Sequence, residues 1–309
     1  MKKTLRLIMF ALIAFSVTFT SCKKSDTASS DNSDLTTHSD DQSRFSSETD
    51  AADNDANTAI ESFSAFEGRI QNPVGVICNA TAVLDSTATL RRITITYNGL
   101  NCIGNRFRTG VIVLSMPLGQ HFRDPGAVLT TTFQNFKVTR VVDNKSITIN
   151  GVHEIKNVTG GRLGQLASLG TIVHEITSPG MSVTFDNGTV RTWQVAKRRT
   201  FTYDNGIKIS TVGIHTDGST TGISEWGINR FGNAFVTVIT QPMVIRQDCD
   251  FRLVSGEVSH QRLAATVVVT FGLNASGTAT SCPGIGGTYY FKLVWTGANG
   301  IVRTFILPY

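Results

Sequence analysis

From residue 72 to the C-terminus, β-branched and aromatic residues alternate with polar ones in short runs separated by turn dipeptides. Ile93, Ile95 and Tyr97 alternate with Thr94 and Thr96, and Ile147 and Ile149 with Thr148 and Asn150. A period of two puts each apolar set on one face of a strand. Val111 and Val113 alternate with Ile112 and Leu114, which predicts burial on both faces. Asn98-Gly99, Asn187-Gly188, Asn205-Gly206, Asp217-Gly218 and Asn299-Gly300 punctuate the runs. A type I′ turn needs positive φ at both central positions, which asparagine and glycine tolerate. SVTFDNGTVRTWQV and FTYDNGIKIST therefore predict successive hairpins. Residues 161–169 (GRLGQLASL) interrupt the pattern and predict a loop or one helical turn. The expected fold is all-β: a predominantly antiparallel, hairpin-built sandwich or long twisted meander.

The N-terminus has a different composition. Lys2, Lys3 and Arg6 accompany an almost unbroken apolar run over 5–19, the length of a secretory signal core and short for a bilayer span. Phe19-Thr20-Ser21-Cys22-Lys23-Lys24 follows. This stretch resembles the lipobox of bacterial lipoproteins in the loose form common in Bacteroidota, with Thr-Ser-Cys-Lys-Lys in place of Leu-Ala-Gly-Cys. The resemblance implies cleavage before Cys22, diacylation of its thiol and acylation of the new amine, with chains such as palmitate. Each buried CH₂ contributes about 0.8 kcal/mol and two anchoring signals already suffice, so three chains would hold the protein on a membrane. Residues 23 to about 58 are mostly Ser, Thr, Asp and Asn, which cannot offset their ordering entropy, and they predict a disordered acidic tether. Acidic residues soon after the lipidated cysteine resemble a surface-export signal of Bacteroidota lipoproteins, which implies the outer membrane, on its periplasmic or surface face. Asp26-Thr27-Ala28 and Asp85-Ser86-Thr87 resemble the acceptor of Bacteroidota O-glycosylation; the tether copy makes Thr27 the expected acceptor. Residues 56–68 (ANTAIESFSAFEG) predict a short helix with Ile60, Phe63 and Phe66 on one side, ended by Gly68. The chain thus divides into a signal at 1–21, a tether at 22–68 and a β-rich body at 69–309.

With Cys22 assigned to lipid, Cys78, Cys102, Cys249 and Cys282 remain, and an exported chain can oxidise them. Three pairings are open. ITITYNGLNC (93–102) is similar to VVVTFGLNAS (267–276): each is an alternating strand ending in Gly-Leu-Asn and leading to a cysteine, with a second cysteine upstream. This duplication favours the local pairs Cys78–Cys102 and Cys249–Cys282, each stabilising by about 3–4 kcal/mol. It also suggests two related halves of about 69–178 and 179–309.

The chain of 309 residues carries a formal net charge of +5, unevenly spread. Acids crowd the tether, whereas Arg91-Arg92, Arg106/Arg108 and Lys197-Arg198-Arg199 lie on strand-like segments and are expected on solvated faces. An exported protein has no nucleic-acid partner, and an anionic glycan is the sharper alternative for such a surface. His153-Glu154-Ile155 and His174-Glu175-Ile176 repeat a His-Glu-Ile triplet, in which neighbours on a strand face opposite sides. The histidines are expected on solvent-facing strand positions; a metal site would need both, with His121, His215 or His260 as a third ligand, and none is assigned. The chain has no Gly-x-Ser-x-Gly elbow, no HExxH and no phosphate-cradling glycine loop before a helix, so no cofactor and no catalytic residue is assigned. Several body acids, such as Asp186, Asp204 and Asp217, sit in turns, where turn chemistry accounts for them. Trp193, Trp226 and Trp295, with Tyr203, Tyr289 and Tyr290, are expected mainly in the core; Trp226 is the candidate for an exposed ring that could contact a glycan.

The TITYN and TFG strands leading to cysteines, with FDNGTVRTW and KRRTFTYDNG, resemble uncharacterised β-rich lipoproteins of Bacteroidota over about residues 74–308. The resemblance implies fold and place, not chemistry. The expected role is non-catalytic: a lipid-anchored envelope protein that is structural or binds another envelope protein, or else a glycan-binding module for polysaccharide capture.

Overall fold

The computed structural model describes residues 26–63, 77–249, 251–262, 265–283, 287–297 and 300–309. The chain forms two compact units, Met1–Asp41 and Gln42–Tyr309. Among the described residues, a 37-residue helix, α1 (Asp26–Ser62), comes first. The strands of the first half are β1 (Ala80–Leu84), β2 (Leu90–Leu100), β3 (Arg106–Pro117), β4 (Ala127–Arg140), β5 (Ser146–Asn157), β6 (Thr171–Phe185) and β7 (Val190–Tyr203). Those of the second are β8 (Ile207–Gly213), β9 (His215–Asp217), β10 (Thr220–Ile228), β11 (Ala234–Arg246), β12 (Arg252–Arg262), β13 (Ala265–Leu273), β14 (Tyr290–Gly297) and β15 (Val302–Pro308). Between β5 and β6 lie a 3-10 turn (Leu163–Gln165) and a one-turn helix, α2 (Leu166–Leu169), where the sequence predicts a break.

The strands form one antiparallel sheet, in the order β1 to β7 and then β10 to β15. The all-β class, the antiparallel pairing and the meander follow the sequence expectation. The segments 77–178 and 179–309, expected as two halves, share this one sheet and one compact unit. Both local disulfides, Cys78–Cys102 and Cys249–Cys282, are formed, with Cα separations of 5.2 and 5.5 Å.

The slot between β7 and β11 is shared by two strands. β10 fills it where Glu225–Gly227 meet Val195–Trp193, and β8 fills it further along, pairing with β7 and β11. The chain between them turns through β9, which pairs back onto β10.

Turn chemistry sorts the Asn-Gly pairs. At Asn205-Gly206 both residues have positive φ, 53° and 138°, whereas at Asn187-Gly188 only the glycine does. Asn98-Gly99 is a correction: it lies inside β2, paired with Thr109 and Arg108, and the chain reverses at 101–105.

Register shifts recur on neighbouring strands, between β3 and β4, β4 and β5, β5 and β6, and β6 and β7. Each bulge adds local twist and bend, so a row of them curls the sheet. Gly110 sits at the first, with φ 98°, and a Cβ there would lie 2.2 Å from the Asn135 carbonyl oxygen.

The sheet curls around residues 42–62 of α1. Over residues 42–62 only Ser47 is exposed. Phe45, Ala52, Ala56, Ala59 and Ile60 join one core with Ile93, Ile95, Tyr97, Ile112, Leu114, Phe133, Phe136, Ile147, Ile149 and Trp193. The disordered tether predicted over 22–68 is therefore corrected across Asp26–Ser62. Over residues 42–62 the acids Glu48, Asp50, Asp53 and Asp55 meet opposite charges rather than water alone. The short helix predicted at 56–68 is the last part of α1; Phe66 and Gly68 lie outside the described residues, as does Cys22. Thr27 falls within α1 rather than in a loop.

Gly110→Ala is expected to destabilise the protein by about 1–3 kcal/mol, because it adds left-handed strain and a backbone clash. Urea unfolding measures this; a midpoint equal to that of the parent would show that the bulge row relaxes freely.

Candidate functional site

The polar side chains of the interior meet at α1. Strand alternation turns Lys197 and Arg199 inward and Arg198 outward, where Arg198 pairs with Glu175 at 2.6 Å. Inside, the Arg199 guanidinium bonds Asp53 at 2.9 Å and also Asp50. Arg108 donates to Asp55 at 2.6 Å and Arg106 to Glu48 at 2.8 Å. The Tyr97 hydroxyl donates to Asp55 at 3.0 Å. Glu225, fully buried, accepts from Trp193 Nε1 at 2.9 Å and from Gln42 Nε2 at 3.2 Å, and pairs with Lys197 Nζ at 2.5 Å. Lys197 also reaches Ser46 Oγ at 2.7 Å. The basic clusters at 106/108 and 197–199 were expected on solvated faces. Arg106, Arg108, Lys197 and Arg199 are instead the lining that receives the acids of α1.

The ionisation of these acids follows their number of partners. Burial alone would push Asp53 up, but Arg199, then His153 at 3.8 Å and Lys197, hold its carboxyl below the ordinary value. Glu48 and Asp55 are raised: burial outweighs the Arg106 and Arg108 charges beside them. Burial likewise raises Glu61, although the Gly164 amide donates to it at 3.3 Å.

Both histidines of the repeated triplet are buried, not solvent-facing, while their Glu neighbours point outward. His174 packs between the rings of Phe122 and Phe201, with centroids at 5.2 and 4.9 Å, and burial lowers its pKa to about 3. His260 bonds Thr237 Oγ1 at 2.9 Å, and burial lowers its pKa to about 4. Both are neutral interior groups. His121 lies near Arg91, 3.3 Å from its guanidinium, and His215 stacks on Trp226. Among the described residues, the group with metal-ligand spacing is Asp248, Cys249 and Cys282, and its two sulfurs are joined in the disulfide. The recess lined by Asn57, Ile60, Glu61, Phe122, Arg162 and His174 holds ≈ 10 Å³, about one water.

Trp226 lies on β10, half-buried, facing opposite to Glu225. Its ring stacks on His215 at 4.1 Å with the planes 13° apart. The expected exposed ring is thus covered on one side by the imidazole. Trp193 and Tyr289 are fully buried and Trp295 nearly so, as expected for core aromatics, while Tyr203 is exposed.

Sequence reasoning missed the interior set Glu48, Asp53, Asp55, Arg108, Lys197, Arg199 and Glu225. The available signal was complementary charge between an acidic segment and basic strands, together with the spacing of Phe45, Ala52, Ala56, Ala59 and Phe63. Comparison with protein-family profiles, curated proteins and solved structures finds no match. Among the described residues, no helix is long and apolar enough to cross a membrane.

Two outcomes follow. Arg199→Met leaves Asp53 buried with its main counter-charge gone and is expected to cost about 3–5 kcal/mol in urea unfolding. A cost below about 1 kcal/mol would mean the pair is solvated. Stability is also expected to fall as pH drops below about 6.5, because the unfolded chain protonates His174 and His260 while the folded chain keeps them neutral. The loss is about 1.4 kcal/mol per pH unit for each histidine. It ends near pH 4 for His260 and near pH 3 for His174. His260→Gln should remove about half of that slope.

Proposed function

We propose that this chain is an exported, lipid-anchored protein of the cell envelope with a non-catalytic structural or interaction role. The apolar run, the lipobox-like Cys22 and the absence of any catalytic motif in the sequence support this. The observation that carries the interaction role is the pair of open sheet edges. Among the described residues, β1 pairs with β2 alone and β15 with β14 alone, and both show exposed apolar side chains: Val83 and Leu84 on one, Val302, Ile306 and Leu307 on the other. An uncovered strand edge is a template for another strand. The interior beneath the sheet is taken up by α1 and its paired charges, so partners act from outside.

A photo-crosslinking residue at Thr304 on β15, used in intact cells, should capture one constant envelope protein. Recovery of the lone monomer from Thr304 and from a second probe at the exposed Val83 would remove the interaction role. Mass measurement of the protein from the envelope fraction should show a chain that begins at Cys22 with fatty acids attached.

Glycan binding is a second reading, favoured by the Trp226–His215 stack on the outer side of the sheet. A flat ring pair is a platform for the face of a sugar. On a polysaccharide affinity gel, Trp226→Ala should lower retention several-fold at unchanged stability; equal retention would count against it.

A further inference from the structure

The large apolar side chains with the highest exposure sit together. Val142 is 85% exposed and Ile103 is 73% exposed, at the tips of the β4–β5 and β2–β3 turns. The turns are neighbours, since the Val141 amide donates to the Asn105 carbonyl at 3.1 Å. Leu100, Phe107 and Val141 are exposed around them. At the opposite end of these strands the 85–89 turn (Asp-Ser-Thr-Ala-Thr) is polar, and Leu118 and Leu169, at 47% and 50%, are less exposed than Ile103 and Val142. The Cys78–Cys102 bridge holds the first of the apolar turns in place.

The chain enters the sheet at this same end. Arg44 Nη2 donates to the Lys145 carbonyl at 2.8 Å, within the turn that carries Val142. Cys22 lies only twenty residues before Gln42, the first residue of the compact unit. Even fully extended, that length reaches about 70 Å, and a helical chain of the same length spans about 30 Å. A lipid on Cys22 is therefore joined to the sheet at this end, through at most about 70 Å of chain.

We propose that the end formed by the turns at 101–105 and 141–145 docks on the lipid surface, with Ile103 and Val142 entering the headgroup boundary. This rests on the lipid-anchored reading above and goes beyond it by orienting the body. Isolated apolar tips beside the exposed Lys145 suit an interface with apolar chains below and anionic headgroups above. With this end down, the sheet's long edges stand free for a partner.

The test uses the chain from residue 22, coupled through the Cys22 thiol to a maleimide lipid in vesicles of phosphatidylethanolamine and phosphatidylglycerol. The other described cysteines are protected in disulfides. Ile103→Trp, Val142→Trp and, at the opposite end, Leu118→Trp each add a reporter ring. Brominated phospholipid should quench the added emission at 103 and 142 and leave that at 118 unchanged. Equal quenching at all three sites, or none at 103 and 142, overturns the proposal. So does a concentration-dependent blue shift at 103 and 142 without vesicles, which would assign this end to a second copy. Chemical coupling replaces biological acylation here, so a cellular protein without fatty acid would defeat the anchoring alone and leave this readout valid.

Discussion

The arrangement depends on opposite charges meeting out of water between one helix and the strands that enclose it. Arg199 is the centre of it: buried, and held by Asp50 and Asp53 together. Its pKa is raised because the two carboxylates outweigh the burial that would lower it. Every acid of residues 42–62 has a partner: Glu48 has Arg106, Asp50 and Asp53 have Arg199, Asp55 has Arg108, and Glu61 has the Gly164 amide. A buried ion pair is weak as a source of net stability, because desolvation consumes most of the attraction. Removing one partner is costly, however. The pairs therefore fix the register of α1 more than they hold the fold together, and apolar packing of Phe45, Ala52, Ala56 and Ile60 supplies the net gain.

The curl of the sheet and the charge of the helix answer one another. A flat sheet would leave α1 half in water, where Arg108 and Asp55 would gain little from pairing. The bulge row on β3 to β7 bends the strands that carry Arg106, Arg108, His153, Lys197 and Arg199 toward one line. The side chains then reach the helix from several directions, and the low dielectric strengthens each contact. Glu225 completes the set from β10, which enters the slot beside β7 only where Trp193 can donate to it.

Period-two alternation made the strands legible because it records burial directly: Ile93, Ile95, Ile147 and Ile149 all face the core. The disulfides were legible because each joins cysteines on either side of one repeated strand unit. Asn98-Gly99 misled because the same dipeptide that makes a tight turn also fits a strand where a glycine must pass close to a neighbour; a Cβ on Gly99 would lie 2.8 Å from Asn79 Cβ. The buried seam was not legible from hydrophobicity. Composition argued for disorder in 23–58 on the premise that a chain orders only by burying apolar surface. Here the compensating charges sit on strands far along the chain, and a single-segment reading weighs no distant partner.

That separation also explains why the helix depends on the sheet. A polar helix with few apolar residues is not stable alone in water. Asp55 pairs with Arg108, 53 residues away, and Asp53 with Arg199, 146 residues away. Both partners are held in register by the meander, whose contacts are mostly between successive strands. The disorder expected from composition is thus overturned over Asp26–Ser62 by partners far along the chain: the curled sheet brings Arg106, Arg108 and Arg199 to the acids of α1.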